Sequence, residues 1–305
     1  MASLKNIKLK IHSVKKTATV TRAMEAVSAV KMRKSQERAL GSRAYAAAAL
    51  SVLERLSSTT DVSHHPLMQQ REGKVALVVI TSDKGLAGAL NGAVIRRVER
   101  ELLERNLSAE HTVLIGIGRR GAEFFANRGY EVRIRHENVS DGISEEEIQK
   151  VTNELLHWHA AGEISSCIVV HQSFISTFEQ QPSVREILPL SASAMRAIVA
   201  SIRPVKGKYA SHNSDNQYVP ASYTIEPDAD AVLSQLLPKL LNIALFHALL
   251  ENKASEHSAR MVAMKSATDK AKEMAHNLTR KFNKIRQAAI TREVSEITSG
   301  IEAMK

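Results

Sequence analysis

The stretch EHSARMVAMKSATDKAKEM, residues 256–274, combines methionines with basic residues and contains neither glycine nor proline. It lies inside residues 229–299, which hold no glycine and one proline, Pro238. Residues 1–58 are similar, because they contain no proline and one glycine, Gly41. Since glycine and proline interrupt helices, the two ends of the chain are predicted to form long helices.

Apolar residues recur at heptad-like steps at both ends of the chain. The N-terminal series is Leu4, Ile7, Ile11, Val14 and Ala18, and it then shifts to Val20, Met24 and Val27. The C-terminal series is Ala271, Met274, Leu278, Phe282, Ile285 and Ala289, followed by Val294, Ile297 and Ile301. An apolar period of about 3.5 residues is typical of a coiled-coil seam. Helices of about 85 Å and about 105 Å would result. We therefore expect the two ends to pair antiparallel as a rod, with the middle folded as a globule between them.

The middle of the chain, residues 59–228, holds 11 of the 13 glycines and 6 of the 7 prolines. Strand-like and helix-like runs alternate there. The predicted strands are 74–82, 111–118, 130–136 and 165–174, and the predicted helices are 86–106, 121–128 and 144–161. This alternation predicts a Rossmann-like parallel sheet. The predicted domains are an N-terminal rod helix over 1–58, an α/β domain over 59–228 and a C-terminal rod helix over 229–305. Within the middle, residues 203–221 are polar and predicted to form a loop.

The charge of this 305-residue chain is concentrated at its ends. The net charge is +10, residues 1–43 carry 11 basic against 2 acidic side chains, and residues 253–292 carry 10 against 3. Basic ends indicate an acidic or polyanionic partner, or otherwise a solvated helix face.

The single cysteine, Cys167, excludes a disulfide framework. No run of 18 uninterrupted apolar residues occurs, so no membrane-spanning helix is predicted.

One motif suggests a dinucleotide site. LIGIGRRGAEFF, residues 114–125, places Gly116, Gly118 and Gly121 at the spacing that holds a pyrophosphate in Rossmann enzymes. However, the helix that follows is short, an earlier strand precedes the motif, and no acidic residue clearly ends the next strand. A tight strand-to-helix turn is therefore the favoured interpretation, and an NAD-dependent enzyme is the weaker one.

Other candidate sites are also weak. TSDKGLAGALN, residues 81–91, lacks the residue order of a P-loop, and Ser82 and Asp83 are predicted to cap a helix that begins near Leu86. The histidines of His64-His65 and His157-Trp158-His159 lack metal-ligand spacing. Cys167 falls in a buried strand without a sign of activation. We therefore predict no catalytic, cofactor-binding or metal-binding residues.

Both ends resemble one family. TRAMEAVSAVKMRKSQERA (21–39), ASEHSARMVAMKSATDKA (254–271) and FNKIRQAAITREVSEITSGIEA (282–303) resemble the gamma subunit of the bacterial rotary, F-type ATP synthase. TSDKGLAGALN is similar to the first turn of that family's central domain. The resemblance implies an antiparallel coiled coil of the N- and C-terminal helices that carries a Rossmann-like domain.

The resemblance also implies a function and partners. In this family the subunit is not catalytic; it is the central-stalk rotor, which turns inside the hexamer of alpha and beta subunits and couples ion flow through the c ring to ATP synthesis or hydrolysis. Its partners are then the alpha, beta and epsilon subunits and the c ring. It is expected at the cytoplasmic face of the bacterial inner membrane as a peripheral subunit, without membrane insertion, cofactor or nucleic acid. A basic coiled-coil protein that binds nucleic acid remains the alternative.

Six positions match residues to which the family assigns contacts. Met24 matches a methionine near the acidic lever loops of the beta subunits. Arg260, Gln287 and Thr291 match polar residues that contact the catch loop of the beta subunit. Tyr223 and Glu226 match residues of the foot, which contacts the c ring and the epsilon subunit.

Overall fold

The computed structural model describes residues 2–41, 48–49, 51–53, 56, 65–190, 226 and 228–304. The chain divides into two compact units. Unit 1 consists of Met1–Ser28 and Arg260–Lys305, and unit 2 consists of Ala29–Ala259. The predicted domain boundaries at 58/59 and 228/229 stay predictions. The predicted loop 203–221 lies outside the described residues.

Two long helices contribute to both units. Helix α1 spans Ala2–Gly41 and helix α5 spans Ala229–Glu302, so they extend for about 60 Å and about 110 Å. The prediction of long helices at both ends is confirmed. Within unit 2 the two helices run antiparallel, because the Arg38 guanidinium lies 5.7 Å from the centre of the Phe246 ring while Lys31 and His257 both contact Asp141.

Unit 2 contains a five-stranded sheet. The strands are β1 (Lys74–Ile80), β2 (Thr112–Ile117), β3 (Glu131–His136), β4 (Ile164–Phe174) and β5 (Gln180–Leu188), in the order β3-β2-β1-β4-β5. The helices between them are α2 (Leu90–Glu104), α3 (Arg119–Ala126) and α4 (Glu145–Ala160), and a short 3₁₀ turn spans Ala109–His111. Strands β1 to β4 pair in parallel, which confirms the Rossmann-like prediction.

Strand β5 was not predicted, and it pairs antiparallel with β4. Its sequence, QQPSVREIL, contains Pro182 and two charged residues, and so lacks the apolar run of the other strands. A strand at the edge of a sheet tolerates proline and polar residues because only one of its sides is paired.

The apolar core lies on both faces of the sheet. Along β1, Val78 and Ile80 face a cluster that includes α4 and the first part of α5, whereas Leu77 and Val79 face α2 and α3. Burial on both faces explains the uninterrupted apolar run of this strand. Helix α5 is therefore a core element of unit 2 and not merely an attachment to it.

The coiled-coil seam in unit 1 differs from the predicted one. Leu4, Ile7, Ile11, Val14 and Ala18 are half-buried, as predicted, but the seam continues in register through the buried Thr21 and Ser28. The predicted shift to Val20 and Val27 is wrong, since both side chains are exposed. Small hydroxyl side chains can occupy these buried heptad positions because they find partners there. Thr21 and Thr268 hydrogen-bond across the seam, with their side-chain oxygens 2.6 Å apart.

The seam residues of helix α5 also differ in part from the predicted ones. Its buried seam residues are Met264, Thr268, Ala271 and Ala275. Met274, predicted for the seam, is exposed, as are the predicted later members Val294, Ile297 and Ile301. The seam fades beyond Ala289, the last half-buried position before Gly300.

Candidate partner-binding surfaces

The glycine motif of residues 114–125 is a packing turn. A Cβ added at Gly118 would lie 2.1 Å from the carbonyl oxygen of Thr81, and one at Gly116 would lie 2.5 Å from the Cβ of Ala122. Two amides that a pyrophosphate would need are already used: Gly118 N–H donates to the His136 carbonyl and Gly121 N–H donates to Thr81 Oγ1. The glycines thus allow α3 to approach β1, which accounts for the motif without a nucleotide.

The TSDKGLAGALN turn has a different structure from the predicted cap. Helix α2 begins at Leu90, without a side-chain cap, and Leu86 precedes it with a φ of 64°. Asp83 does not cap this helix. Its carboxylate accepts hydrogen bonds from the amides of Arg119, Asn138 and Val139, at 2.9–3.0 Å. The turn therefore joins the end of β1 to the segments that follow β2 and β3.

Helix α5 occupies the carboxyl end of β4, close to the region where Rossmann-like sheets commonly bind ligands. His171 Nε2 lies 2.9 Å from Glu251 Oε2, and Arg185 Nη2 lies 2.8 Å from the same oxygen. The Gln172 amide donates to Asn252 Oδ1 at 3.1 Å. The protein's own helix thus fills this position with a buried polar network.

Burial and charge shift the pKa values of this network. Burial lowers the pKa of His247 to about 4 and also lowers the pKa of His171. Burial disfavours the charged form of Glu251, but the hydrogen bond from His171 and the charge of Arg185 outweigh it and lower the pKa of Glu251 to about 2. The network at neutral pH is therefore an ionised carboxylate and guanidinium beside neutral imidazoles. The sequence signal for this network was the pair His247 and Glu251, at i and i+4 in the apolar stretch of α5.

Unit 1 offers the most exposed apolar side chains of this helix. Residues 290–299 of α5 are exposed on every side. Four aliphatic side chains recur there at steps of four, three and four residues, each more than half exposed: Ile290, Val294, Ile297 and Ile301. A heptad stripe without a partner in the described chain is a candidate surface for another protein. We call these four side chains the terminal stripe.

The six residues carried over from the resemblance have different environments. Met24 is half-buried on α1, and Arg260 is buried on α5 with 8% of its surface exposed. Gln287 and Thr291 are exposed on α5, where Thr291 Oγ1 donates to the Gln287 carbonyl. Glu226 is exposed, and Tyr223 lies outside the described residues. Their contacts with partners stay predictions.

The histidines and the cysteine considered as candidate sites do not form a metal-binding or reactive group in the part of the chain that the structure describes. Among the described residues, no group of three His, Cys, Asp or Glu side chains could hold a metal ion. Cys167 is buried, and burial raises the pKa of its thiol far above the usual range. His65 Nδ1 accepts a hydrogen bond from the Leu67 amide, and His64 lies outside the described residues.

One apolar stretch of α5 is long enough to cross a membrane. Its 18-residue window has a mean hydropathy of 1.4, and 67% of that window is buried inside the protein. Packing against the sheet accounts for the hydrophobicity of such a mostly buried core helix.

The comparisons with known proteins cover nearly the whole chain. Residues 3–304 match the model of the protein family described as ATP synthase. The ATP synthase gamma chain of Heliobacterium modesticaldum is 37% identical over 305 residues, and that of Geobacter sp. strain M21 is 39% identical over 306 residues. Each alignment spans 100% of both chains.

Solved structures share the fold. A chain from the rotational state 3 structure of the Euglena gracilis mitochondrial ATP synthase, which contains OSCP, F1 and the c-ring, superposes with a TM-score of 0.61 at 16% identity. The alignment covers 99% of this chain and 95% of that one. A chain from the central stalk and c-ring of the Tetrahymena thermophila mitochondrial enzyme gives a TM-score of 0.56 at 20% identity, covering 81% of this chain and 99% of that one.

Proposed function

The chain belongs to the family of ATP synthase gamma chains, and from this premise we propose that it is the non-catalytic rotor of the central stalk. It turns inside a hexamer of alpha and beta subunits and couples ion flow through the c ring to ATP synthesis or hydrolysis at the beta subunits. It also contacts the epsilon subunit. The assembly lies on the cytoplasmic face of the bacterial inner membrane, where this subunit is peripheral.

The observation that carries the proposal is the terminal stripe. Its four aliphatic side chains have heptad spacing of their own, begin directly after Ala289, the last half-buried seam position of α5, and are 52–63% exposed. In a coiled coil such side chains are covered by a second helix, and here the described chain supplies none. An apolar sleeve formed by other subunits would cover the stripe and still allow it to turn, because apolar contacts are non-directional.

The charge of the ends supports the same partners. The many basic side chains of α1 and of the second half of α5 attract acidic loops without requiring one fixed geometry. The polar Gln287 and Thr291 are exposed on either side of Ile290, the first member of the terminal stripe. We propose that they contact the beta subunits, as do Met24 and Arg260. Tyr223 and Glu226 are proposed contacts of the c ring and epsilon. The family match does not support the nucleic-acid alternative.

The test replaces two members of the terminal stripe, Val294→Ser with Ile297→Ser, in the full chain. Affinity for reconstituted alpha and beta subunits, measured by biolayer interferometry, is expected to fall about 30- to 150-fold, since each of the two lost aliphatic contacts weakens binding by about 1–1.5 kcal/mol. The melting temperature of the free chain is expected to stay unchanged, because both side chains are exposed.

The matched control is Ser295→Ala with Ser299→Ala, which alters exposed residues on another face of the same helix segment. It is expected to bind like the natural chain. Equal affinities for the stripe variant and the control would contradict the proposal. A gel shift with nucleic acid at near-physiological salt would instead favour the alternative function.

A further inference from the structure

The segment between β3 and α4, residues 137–144, lies against several elements of unit 2; we call it the clasp loop. Its first part is held by the sheet, since Asp83, at the end of β1, accepts hydrogen bonds from the amides of Asn138 and Val139 at 3.0 Å and 2.9 Å. A carboxylate that accepts several amide hydrogen bonds holds a loop in one conformation. The loop is therefore fixed to the carboxyl edge of the sheet.

Helix α1 contacts the clasp loop through two cations. Lys31 Nζ lies 2.7 Å from Asp141 Oδ2. Arg38 donates to the backbone carbonyls of Asp141, at 2.7 Å, and Ile143. Its planar guanidinium therefore bridges two carbonyls of the loop, which a lysine could not do with the same geometry.

Helix α5 contacts the same loop through two further groups. His257 Nε2 lies 2.8 Å from Asp141 Oδ1, and Lys253 Nζ donates to the Val139 carbonyl at 2.7 Å. The side chains of Lys253 and His257 are 8% and 4% exposed, so solvent screens these contacts little. The hydrogen bond from His257 lowers the pKa of Asp141, burial raises it, and the contact with Lys31 lowers it again. The result is a pKa well below the usual range of an aspartate.

Asp141 thus joins three elements that are far apart in the sequence. An apolar core alone would permit small rotations of a helix against a sheet, because dispersion and hydrophobic contacts are non-directional. Hydrogen bonds and close ion pairs have defined directions and distances. The clasp loop adds such directional contacts to α1 and α5 at the same place.

We propose that the clasp loop, through Asp141, fixes the rotational position of the unit 2 segments of α1 and α5 on the sheet, so that these two helix segments and the sheet turn as one body. This inference rests on the proposed function in one respect: a rotor that transmits torque needs such a rigid connection. The rigidity itself is a property of the free chain, and it can be measured there.

The first experiment measures this rigidity in the full chain. Spin labels are placed at Lys34→Cys on α1 and Lys150→Cys on α4, both exposed, while the buried Cys167 stays unlabelled. With Asp141→Asn, the distance distribution from pulsed electron paramagnetic resonance is expected to broaden about twofold, because the local opening of α1 becomes easier. Trp158 fluorescence verifies that unit 2 is folded.

Two further variants keep the test decisive. Lys31→Gln removes only the contact from α1 and changes a half-exposed side chain, so it folds even if an Asp141 variant does not; it is expected to broaden the distribution by a smaller amount. Glu131→Gln is the matched control, since Glu131 also pairs with two cations, Lys74 and Arg133, but on the sheet. Unchanged widths for both Asp141→Asn and Lys31→Gln would overturn the proposal.

The second experiment separates this inference from the proposed function. The chain is reconstituted with alpha, beta and epsilon subunits and the c ring in vesicles. Asp141→Asn is expected to lower ion transport per ATP hydrolysed about twofold or more, with Glu131→Gln unchanged. Failure of the natural chain to assemble would contradict the proposed function; assembly with normal transport by Asp141→Asn would contradict the clasp.

Discussion

The same helix, α5, has two opposite environments. Residues 240–258, in unit 2, are buried on every side, whereas residues 291–299, in unit 1, are exposed on every side. The buried segment includes polar side chains that are matched by partners, such as Glu251 with His171 and Arg185. The exposed segment has aliphatic side chains without partners in the described chain. The difference indicates that one segment holds the subunit together and the other is available to other subunits.

The largest expected effect tests the buried segment. Glu251→Gln removes the charge that compensates Arg185 and leaves the guanidinium buried, with its side chain 12% exposed. The free energy of unfolding is expected to fall by about 3–5 kcal/mol, because an unpaired buried charge is strongly unfavourable. Urea denaturation followed by the fluorescence of Trp158, the only tryptophan, measures this in unit 2.

The control for this variant lies at the exposed end of the same helix. Glu296→Gln removes a partner of Arg292, and both side chains are more than 60% exposed. No measurable change in stability is expected, since solvent screens such pairs. Equal losses for the two variants would remove the distinction between the two segments.

The second effect tests how tightly unit 2 is packed. Gly118→Ala places a methyl group 2.1 Å from the Thr81 carbonyl oxygen at a φ of 94°. We expect a loss of about 2–3 kcal/mol from strain and overpacking together. Gly129→Ala is the matched control, because Gly129 has a similar φ of 83° but a Cβ added there would meet no atom within 4 Å. Its expected loss of about 1 kcal/mol measures the cost of the backbone conformation alone. A Gly118→Ala chain as stable as the control would contradict the packing role.

The last effect is the gradual pH dependence of unit 2. The pKa of His247 is lowered to about 4 and that of His171 is also lowered, so the unfolded chain binds more protons below pH 6.5. The free energy of unfolding is therefore expected to fall as the pH drops from 6.5, by at most about 1.4 kcal/mol per pH unit for each histidine. The contribution of Glu251, whose pKa is about 2, is lost only below about pH 4.5.

Urea titrations at pH 7, 6 and 5 test this dependence. His247→Gln is expected to make the decline shallower, and His276→Gln, at an exposed position of α5, is expected to leave it unchanged. A natural chain with constant stability between pH 7 and 5 would contradict the assignment of neutral buried histidines.

The sequence predicted the elements with regular apolar patterns. The four parallel strands lie within one or two residues of their predicted bounds, and both long helices formed where glycine and proline are scarce. Strand β5 was missed because an edge strand needs no apolar run. The seam of α1 was predicted only in part, because Val20 and Val27 are apolar but exposed while Thr21 and Ser28 are polar but buried. Side-chain polarity alone does not show which face of a helix a partner covers.

The candidate sites were also predicted only in part from the sequence. The motifs at both ends identified the family, and three of the four residues of the terminal stripe, Val294, Ile297 and Ile301, belong to the predicted heptad series, whereas Ile290 does not. Although the i, i+4 spacing of His247 and Glu251 is a local signal of the buried network, the long-range partners of Asp83, Asp141 and Glu251 could not be predicted. These contacts cross 36 to 116 residues of sequence. Such pairings have no local pattern.

By itself, the sequence determined the helical ends, the parallel strands and the concentration of basic charge, since each follows from local composition and periodicity. Only the tertiary structure decided which apolar residues are covered, and that a glycine-rich turn is filled by Thr81 and Ala122. It also decided that α5 lies at the carboxyl end of β4. The physical reason is that burial and hydrogen bonding depend on which surfaces meet, and this is settled by packing among distant segments.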